Sequence, residues 1–87
     1  MISKAHPNFW KCYQRLPERI QKQADKQFRL WRRNPFHPSL HFKIVAEGLW
    51  SARVDAKHRA LARVKGELVV WFWIGTHDEY ERLIADL

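Results

Sequence analysis

Hydrophobic residues recur at helical spacing through the first third of the chain. A first helix is predicted over residues 7–16, where Phe9, Tyr13 and Leu16 share one face. A second helix follows the next proline, and its apolar stripe consists of Ile20, Ala24, Phe28 and Trp31. Two prolines within residues 34–38 end this pattern, because neither can continue a helix. The pattern therefore predicts a helical hairpin.

From residue 41 onward the pattern changes to a period of two. Alternating apolar and polar positions predict three strands, at residues 41–44, 49–54 and 59–64. Residues 68–74 are apolar at every position, which predicts a fourth strand covered on both faces. Because the turns between successive strands are short, we expect the strands to be antiparallel.

Thr76 and Glu79 form the sequence pattern of a capping box at the start of a third helix. The Thr76 hydroxyl can accept from the backbone N–H of Glu79, whose carboxylate reaches back to Thr76. The apolar stripe that follows consists of Tyr80, Leu83, Ile84 and Leu87. This order predicts one α+β domain over residues 1–87, with a helical hairpin packed on one face of a four-stranded, mainly antiparallel sheet and a short C-terminal helix.

The turn at residues 65–67 determines which side chains face away from the hairpin. A three-residue turn places Ala60 and Ala62 under the helices. Their neighbours on the last strand are then Phe72 and Val70. A two-residue turn would instead place arginines among the apolar side chains of this face. We favour the three-residue turn, because small residues then lie opposite large ones.

In that register the face without the hairpin carries a basic, aromatic platform. Its members are Arg53, Arg59, Trp71, Trp73 and, just past the last strand, His77. Guanidinium groups over indole rings can be structural cation–π packing. The same groups can also bind RNA, since arginines hold phosphate while aromatic faces stack bases. Both readings stay open at this point.

Charge is concentrated in the first half of the chain. The net charge is +7, from 16 Lys and Arg against nine Asp and Glu. Residues 1–44 carry ten basic and two acidic side chains, whereas residues 76–87 carry one basic and four acidic side chains. This field predicts a polyanionic partner, either nucleic acid or an acidic protein segment. Excess Lys and Arg serving solubility alone is the alternative.

Five features follow one another along the chain. They are Leu49-Trp50-Ser51-Ala52-Arg53-Val54, His58-Arg59-Ala60-Leu61, a hairpin at Gly66, an apolar last strand, and Gly75-Thr76-His77-Asp78-Glu79-Tyr80. In this order they resemble the RelE/ParE superfamily of bacterial toxins. The resemblance spans nearly the whole chain and implies the toxin of a toxin–antitoxin pair.

Many proteins of that superfamily enter the ribosomal A site and cut mRNA without a metal. By this resemblance Arg59 and Arg53 match basic positions on the two central strands, and His77 matches the acid/base position after the last strand. Such chemistry needs a base for the ribose 2′-hydroxyl, cations on the phosphate and an acid for the leaving oxygen. His77 could be acid or base, since imidazole titrates near neutrality. The further RNA-binding positions predicted are Lys57, His58, Arg63, Trp73, Arg32 and Arg33.

The resemblance also allows a non-catalytic function. A gyrase-inhibiting relative, or an interaction domain without toxicity, shares the fold and lacks the nuclease residues. In each case we expect an acidic, partly disordered antitoxin that folds on the basic helices, with the ribosome and mRNA, or DNA gyrase, as the target. We read Tyr80 as a core residue, and Asp78 and Glu79 as helix-capping residues rather than catalysts.

Other classes of site find little support in the sequence. No cofactor is predicted, and no metal site, because Pro38 separates His37 and His41 and denies them a common helix. Cys12 has no second cysteine and is expected to be a small core residue. No apolar run reaches the ~20 residues that span a bilayer, and no secretory signal is recognisable, so a cytoplasmic location is expected.

Overall fold

The computed structural model describes all 87 residues, and its helices cover both faces of one mixed sheet. The elements are β1 (Ile2–Ala5), α1 (Pro7–Gln14), α2 (Glu18–Arg33), β2 (Lys43–Ala46), β3 (Leu49–Asp55), β4 (His58–Lys65), β5 (Leu68–Thr76) and α3 (His77–Ala85). A 3-10 turn, Pro38–Leu40, lies between α2 and β2. The strand order is β1-β5-β4-β3-β2.

The predicted α+β class is confirmed, but the sheet has five strands rather than four. The additional strand is β1, which pairs in parallel with β5 from Ile2 opposite Leu68 to Ala5 opposite Trp71. Trp71 Nε1 also donates to the Ser3 hydroxyl over 3.1 Å. Ser3 and Lys4 are adjacent polar residues, so β1 shows no alternation in the sequence that would predict a strand.

The helical hairpin forms as predicted, and it covers one face of the sheet. His6 caps α1 by accepting from the Asn8 backbone N–H over 3.0 Å, and Pro7 occupies the first turn, where its missing N–H is not needed. The buried residues of α2 are Ile20, Ala24 and Trp31. They pack against alternate residues of the central strands, including Ala52, Val54, Ala60 and Ala62. Helix α2 thereby buries the face of the sheet that carries these alanines.

The predicted register between β4 and β5 is wrong. Lys65 pairs with Leu68, so the turn has two residues, and Gly66 adopts the positive φ of +57° that such a turn accepts at its first central position. A bulge then leaves Phe72 unpaired, because Ala62 lies opposite Trp71 while Leu61 lies opposite Trp73. Both irregularities shift β5 relative to β4.

This shift changes the face on which Trp71 lies. Trp71 is buried against the hairpin, with its ring centroid 5.3 Å from that of Trp31. It is therefore absent from the platform predicted for the other face. That face is also not free of helices, because Tyr80 of α3 packs there with Leu49 and Leu61 as a second, smaller core. The prediction that Tyr80 is a core residue is confirmed.

The capping box of α3 forms as predicted and makes stability depend on pH. Glu79 N–H donates to the Thr76 hydroxyl over 3.1 Å, and the Thr76 backbone N–H donates to Glu79 Oε1 over 3.0 Å. Hydrogen bonds from the backbone and side chain of Thr76 lower the pKa of Glu79. Its carboxylate therefore stabilises the fold above its unfolded-state pKa, and this contribution is lost as the pH falls through the folded-state pKa.

We expect Thr76→Ala to lower the free energy of unfolding by about 1 kcal/mol at neutral pH, because it removes the cap. Glu79→Gln should lose less stability than the wild type between about pH 5 and pH 3, since it carries no titrating carboxyl at this position. Urea unfolding followed by tryptophan fluorescence measures both, with the exposed neighbour Asp78→Asn as control. Equal acid sensitivity of Glu79→Gln and the wild type would contradict the assignment.

Candidate functional site

A cleft of about 240 Å³ opens on the face of the sheet that α3 partly covers. Its walls come from the segment entering β2, from the central strands β3 and β4, and from α3. The lining residues are His41, Lys43, Ser51, Arg59, His77, Tyr80, Glu81 and Ile84. Ile84 is the one apolar side chain among these eight. The others carry a hydroxyl, an imidazole, an ammonium, a carboxylate or, in Arg59, a guanidinium, and the cleft is therefore polar and basic.

Arg59 is held in the cleft by the turn between β3 and β4. Its Nη1 donates to the backbone carbonyls of Asp55, over 2.6 Å, and His58, over 2.9 Å. Both bonds use the same nitrogen, so Nη2 and Nε keep their donors for a ligand. Burial, followed by the charge of Arg53 directly opposite on β3, lowers the pKa of Arg59. Both effects disfavour a positive charge here, and a bound anion would relieve them.

His77 stands at the first position of α3 and is fixed from two sides. Its backbone N–H donates to the Lys57 carbonyl over 2.7 Å, which joins the start of α3 to the β3–β4 turn. Its Nε2 lies 3.3 Å from Glu81 Oε1, and its ring centroid lies 5.7 Å from that of Tyr80. The side chain is still 38% exposed, so a ligand in the cleft can reach the imidazole.

His58 braces the turn that holds Arg59. Its Nδ1 lies 2.9 Å from Asp55 Oδ1, and the histidine side chain is only 13% exposed. Burial raises the pKa of Asp55, but hydrogen bonds from the His58 side chain and the Lys57 N–H outweigh this and lower the pKa overall. The side chain of His58, engaged in this way, stabilises the turn whose carbonyls orient Arg59.

The remaining predicted residues lie at different distances from the cleft. Lys57 is exposed at the β3–β4 turn, next to the backbone bond that fixes His77. Arg63 is exposed on β4 four residues after Arg59, and its guanidinium lies 5.7 Å from the centre of the Phe72 ring. Trp73 is half-buried against the second core. Arg32 and Arg33 belong to the last turn of α2, on the hairpin side of the sheet.

Four polar residues of the cleft lie outside the predicted set. They are His41, Lys43, Ser51 and Glu81. His41 has φ +44°, and among non-glycine residues only this one has a positive φ, a type of backbone strain that concentrates at functional sites. For three of them a signal existed in the sequence: His41 and Lys43 alternate with Phe42 along the chain, and Glu81 follows His77 by one helical turn.

Comparison with known proteins agrees with this fold. A family model described as the ParE-like toxin domain matches residues 18–82. The fold matches the YoeB/ParE toxin from Agrobacterium tumefaciens at 25% identity and a TM-score of 0.67, covering 88% of this chain and 99% of that one. It matches the RelB-RelE antitoxin-toxin complex from Methanococcus jannaschii at 12% identity and a TM-score of 0.74, covering 92% and 96%. For the toxin-antitoxin complex RelBE2 from Mycobacterium tuberculosis the identity is 23%, the TM-score 0.68, and the coverage 87% and 96%.

These matches define the class of protein: a small toxin of the type that occurs in toxin–antitoxin systems. The chain belongs to the ParE-like toxin domain family. A search of curated protein sequences finds no significant match. None of the helices is long and apolar enough to cross a membrane.

Proposed function

We propose that this chain is the toxin of a toxin–antitoxin pair and that it cleaves mRNA on the ribosome without a metal. The observation that carries the proposal is the convergence of Arg59, Lys43 and His77 on one solvent-open cleft. A fixed guanidinium and a lysine beside an accessible imidazole are the parts that transfer of a phosphodiester to a neighbouring hydroxyl requires.

The proposed reaction is attack by the ribose 2′-oxygen on the adjacent phosphorus. A base in the cleft removes the 2′-hydroxyl proton, the 2′-oxygen bonds to phosphorus, and the bond from phosphorus to the 5′-oxygen breaks. An acid protonates that leaving oxygen, which gives a 2′,3′-cyclic phosphate and a 5′-hydroxyl. The cleft offers His77, His41 and Glu81 for the two proton transfers.

Cationic side chains on the strands neutralise the charge of the phosphate. Arg59 presents its unengaged donors to the phosphate, and Lys43 supplies a second cation from the facing wall. Arg53 lies opposite Arg59 and adds to the positive field, while Lys57 and Arg63 extend the basic surface for the RNA backbone on either side.

The cleft offers little surface on which a nucleobase could stack, and this supports dependence on the ribosome. Trp71 is buried beneath the hairpin, and Trp73 is partly covered by the second core. Without an open stacking surface, the chain gains little binding energy from free RNA. In our proposal the ribosome positions the message, and the cleft supplies the chemistry.

Induced expression in a bacterium tests the proposal. We expect growth arrest, and primer extension should show cuts within a translated message and none in the same message without its start codon. Purified protein should leave the naked RNA intact. A DNA damage response with intact mRNA would instead indicate a gyrase inhibitor, and unchanged growth would indicate an interaction domain.

We also propose that an acidic antitoxin neutralises the chain. Helix α2 carries six of the 16 Lys and Arg, and Arg15 lies just before it. The six are Arg19, Lys22, Lys26, Arg29, Arg32 and Arg33. Two of the similar structures are complexes of a toxin with its antitoxin. An acidic segment that folds on this basic surface would gain charge complementarity along its length.

A further inference from the structure

The turn between β3 and β4 is hydrogen-bonded to two residues of the cleft at once. Asp55 ends β3 and His58 begins β4, so the turn has two residues. Arg59 Nη1 donates to the carbonyls of Asp55 and His58. The His77 N–H donates to the carbonyl of Lys57, the second residue of the turn. The conformation of this turn therefore determines where the guanidinium and the first residue of α3 lie relative to each other.

The backbone of this turn is not of the kind that two-residue hairpins favour. The favoured turns have a positive φ at one or both central residues, because only then does the turn match the twist of the strands. Gly66 supplies a φ of +57° in the turn between β4 and β5, but neither Ala56 nor Lys57 has a positive φ. A bulge between Arg53 and Asp55 adds a further irregularity. The conformation of the β3–β4 turn thus depends on bonds other than its own backbone preference.

The Asp55 carboxylate supplies such bonds from a single oxygen. Its Oδ1 accepts from the Lys57 backbone N–H over 2.8 Å and lies 2.9 Å from Nδ1 of His58. A side-chain oxygen that accepts from the backbone two residues further on mimics a backbone turn. Both side chains of the Asp55–His58 pair are largely buried, at 27% and 13% exposure. One carboxylate oxygen thus holds the two residues whose carbonyls anchor the groups of the cleft.

We propose that Asp55 is a positioning residue, which sets the spacing between the Arg59 guanidinium and the His77 imidazole. It acts through the turn and together with His58, and neither of these two side chains lines the cleft. A misplacement of about 1 Å can cost on the order of 100-fold in rate. A turn that holds both groups therefore affects the chemical step more than the binding of the message. For its effect on rate this inference rests on the proposed mRNA cleavage, whereas the geometry can be measured in the protein alone.

The kinetics of cleavage on ribosomes that carry a translated message test the proposal. Asp55→Ala should lower kcat about 100-fold and leave KM nearly unchanged, because the groups of the cleft are present but misplaced. Asp55→Asn should keep most of the activity, since its amide oxygen can still accept from Lys57 and His58. His58→Ala should show the same pattern with a smaller loss. His58→Asn should recover part of it, because the Asn amide nitrogen replaces the donor Nδ1.

Asn34→Ala is the matched control for loss of a turn. Asn34 Oδ1 accepts from the Phe36 backbone N–H over 3.2 Å, the same bond to the second residue along the chain, in a turn outside the cleft. This variant should cleave like the wild type even where urea unfolding shows a loss of stability. Equal losses of cleavage in Asn34→Ala and Asp55→Ala would overturn the proposal, because destabilisation alone would then explain them.

A double variant distinguishes positioning from a general effect on the fold. When Arg59→Ala is already present, Asp55→Ala should lower the rate by a smaller factor than in the wild type, because one of the two groups that Asp55 positions is absent. The same factor in both backgrounds would overturn the proposal. If Asp55→Ala does not fold, His58→Ala takes its place in this comparison and in the exchange measurement below.

Hydrogen exchange of the His77 amide measures the geometry without any cleavage. This N–H, bonded to the Lys57 carbonyl, should exchange faster in Asp55→Ala than in the wild type or in Asn34→Ala. A wild type that cuts no translated mRNA, with faster exchange in Asp55→Ala, would refute the cleavage and leave the positioning in place. A wild type that cleaves, with unchanged rate and exchange in Asp55→Ala, would refute the positioning and leave the cleavage in place.

Discussion

Arg59→Ala is expected to reduce cleavage of translated mRNA about 100- to 1,000-fold and to abolish growth inhibition. This is the loss of rate expected when one preorganised hydrogen-bond donor to the charge that develops in the transition state is removed. Arg59 is the cation best fixed for this task, because two backbone carbonyls of the β3–β4 turn orient its guanidinium. Primer extension on a reporter message, quantified over time after induction, measures the effect.

Two further variants separate loss of chemistry from loss of fold. Arg29→Ala removes the same charge from the exposed face of α2 and should cleave like the wild type. Arg59→Lys keeps a positive charge but lacks the planar fork, so it should recover only part of the activity. A cooperative thermal transition near that of the wild type would show that Arg59→Ala is folded. Full toxicity of the folded Arg59→Ala protein would remove the basis for the proposed site.

His77→Gln is expected to reduce cleavage about 100- to 10,000-fold, the range found when a group that transfers a proton is lost. The backbone bond from residue 77 to the Lys57 carbonyl survives this change, so α3 should keep its position. Single-turnover cleavage on stalled ribosomes measures the rate. Asp78→Asn, the exposed next residue, serves as the control and should retain wild-type rates.

A modified message identifies which proton His77 transfers. If the 5′-oxygen at the cut is replaced by sulfur, the leaving group no longer needs protonation. Restored cleavage by His77→Gln on this message would assign His77 as the acid, with the base among His41 and Glu81. Continued inactivity would assign it as the base. Wild-type rates for His77→Gln on the normal message would exclude both roles.

The parts of the fold that could be predicted are those where one face of an element differs from the other. Alternation along β3 and β4 correctly placed Ala52 and Ala60 under the hairpin, with Arg53 and Arg59 on the opposite side. A period of two fixes a strand's orientation wherever one face is buried, because a shift by one residue would exchange the faces.

The errors concern segments without such asymmetry. Strand β5 is apolar at every position, so its sequence does not show which residues face the hairpin. The turn and the bulge at Phe72 determine the register instead. The predicted face of Trp71 is therefore wrong. For the site, the polar character of His41 and Lys43 was visible, but their approach to Arg59 depends on the strand order and on the path of α3, which are tertiary properties.

The pairing of β1 with β5 has a consequence for how the protein is made. Ile2 lies beside Leu68, and the start of α3 is tied to the β3–β4 turn. Contacts so distant along the chain form late, after long loops have closed. While a ribosome is still synthesising β5 and α3, the nascent polypeptide has neither its complete sheet nor the histidine wall of its cleft. In our proposal, the growing chain therefore does not yet cut the message on the ribosome that makes it.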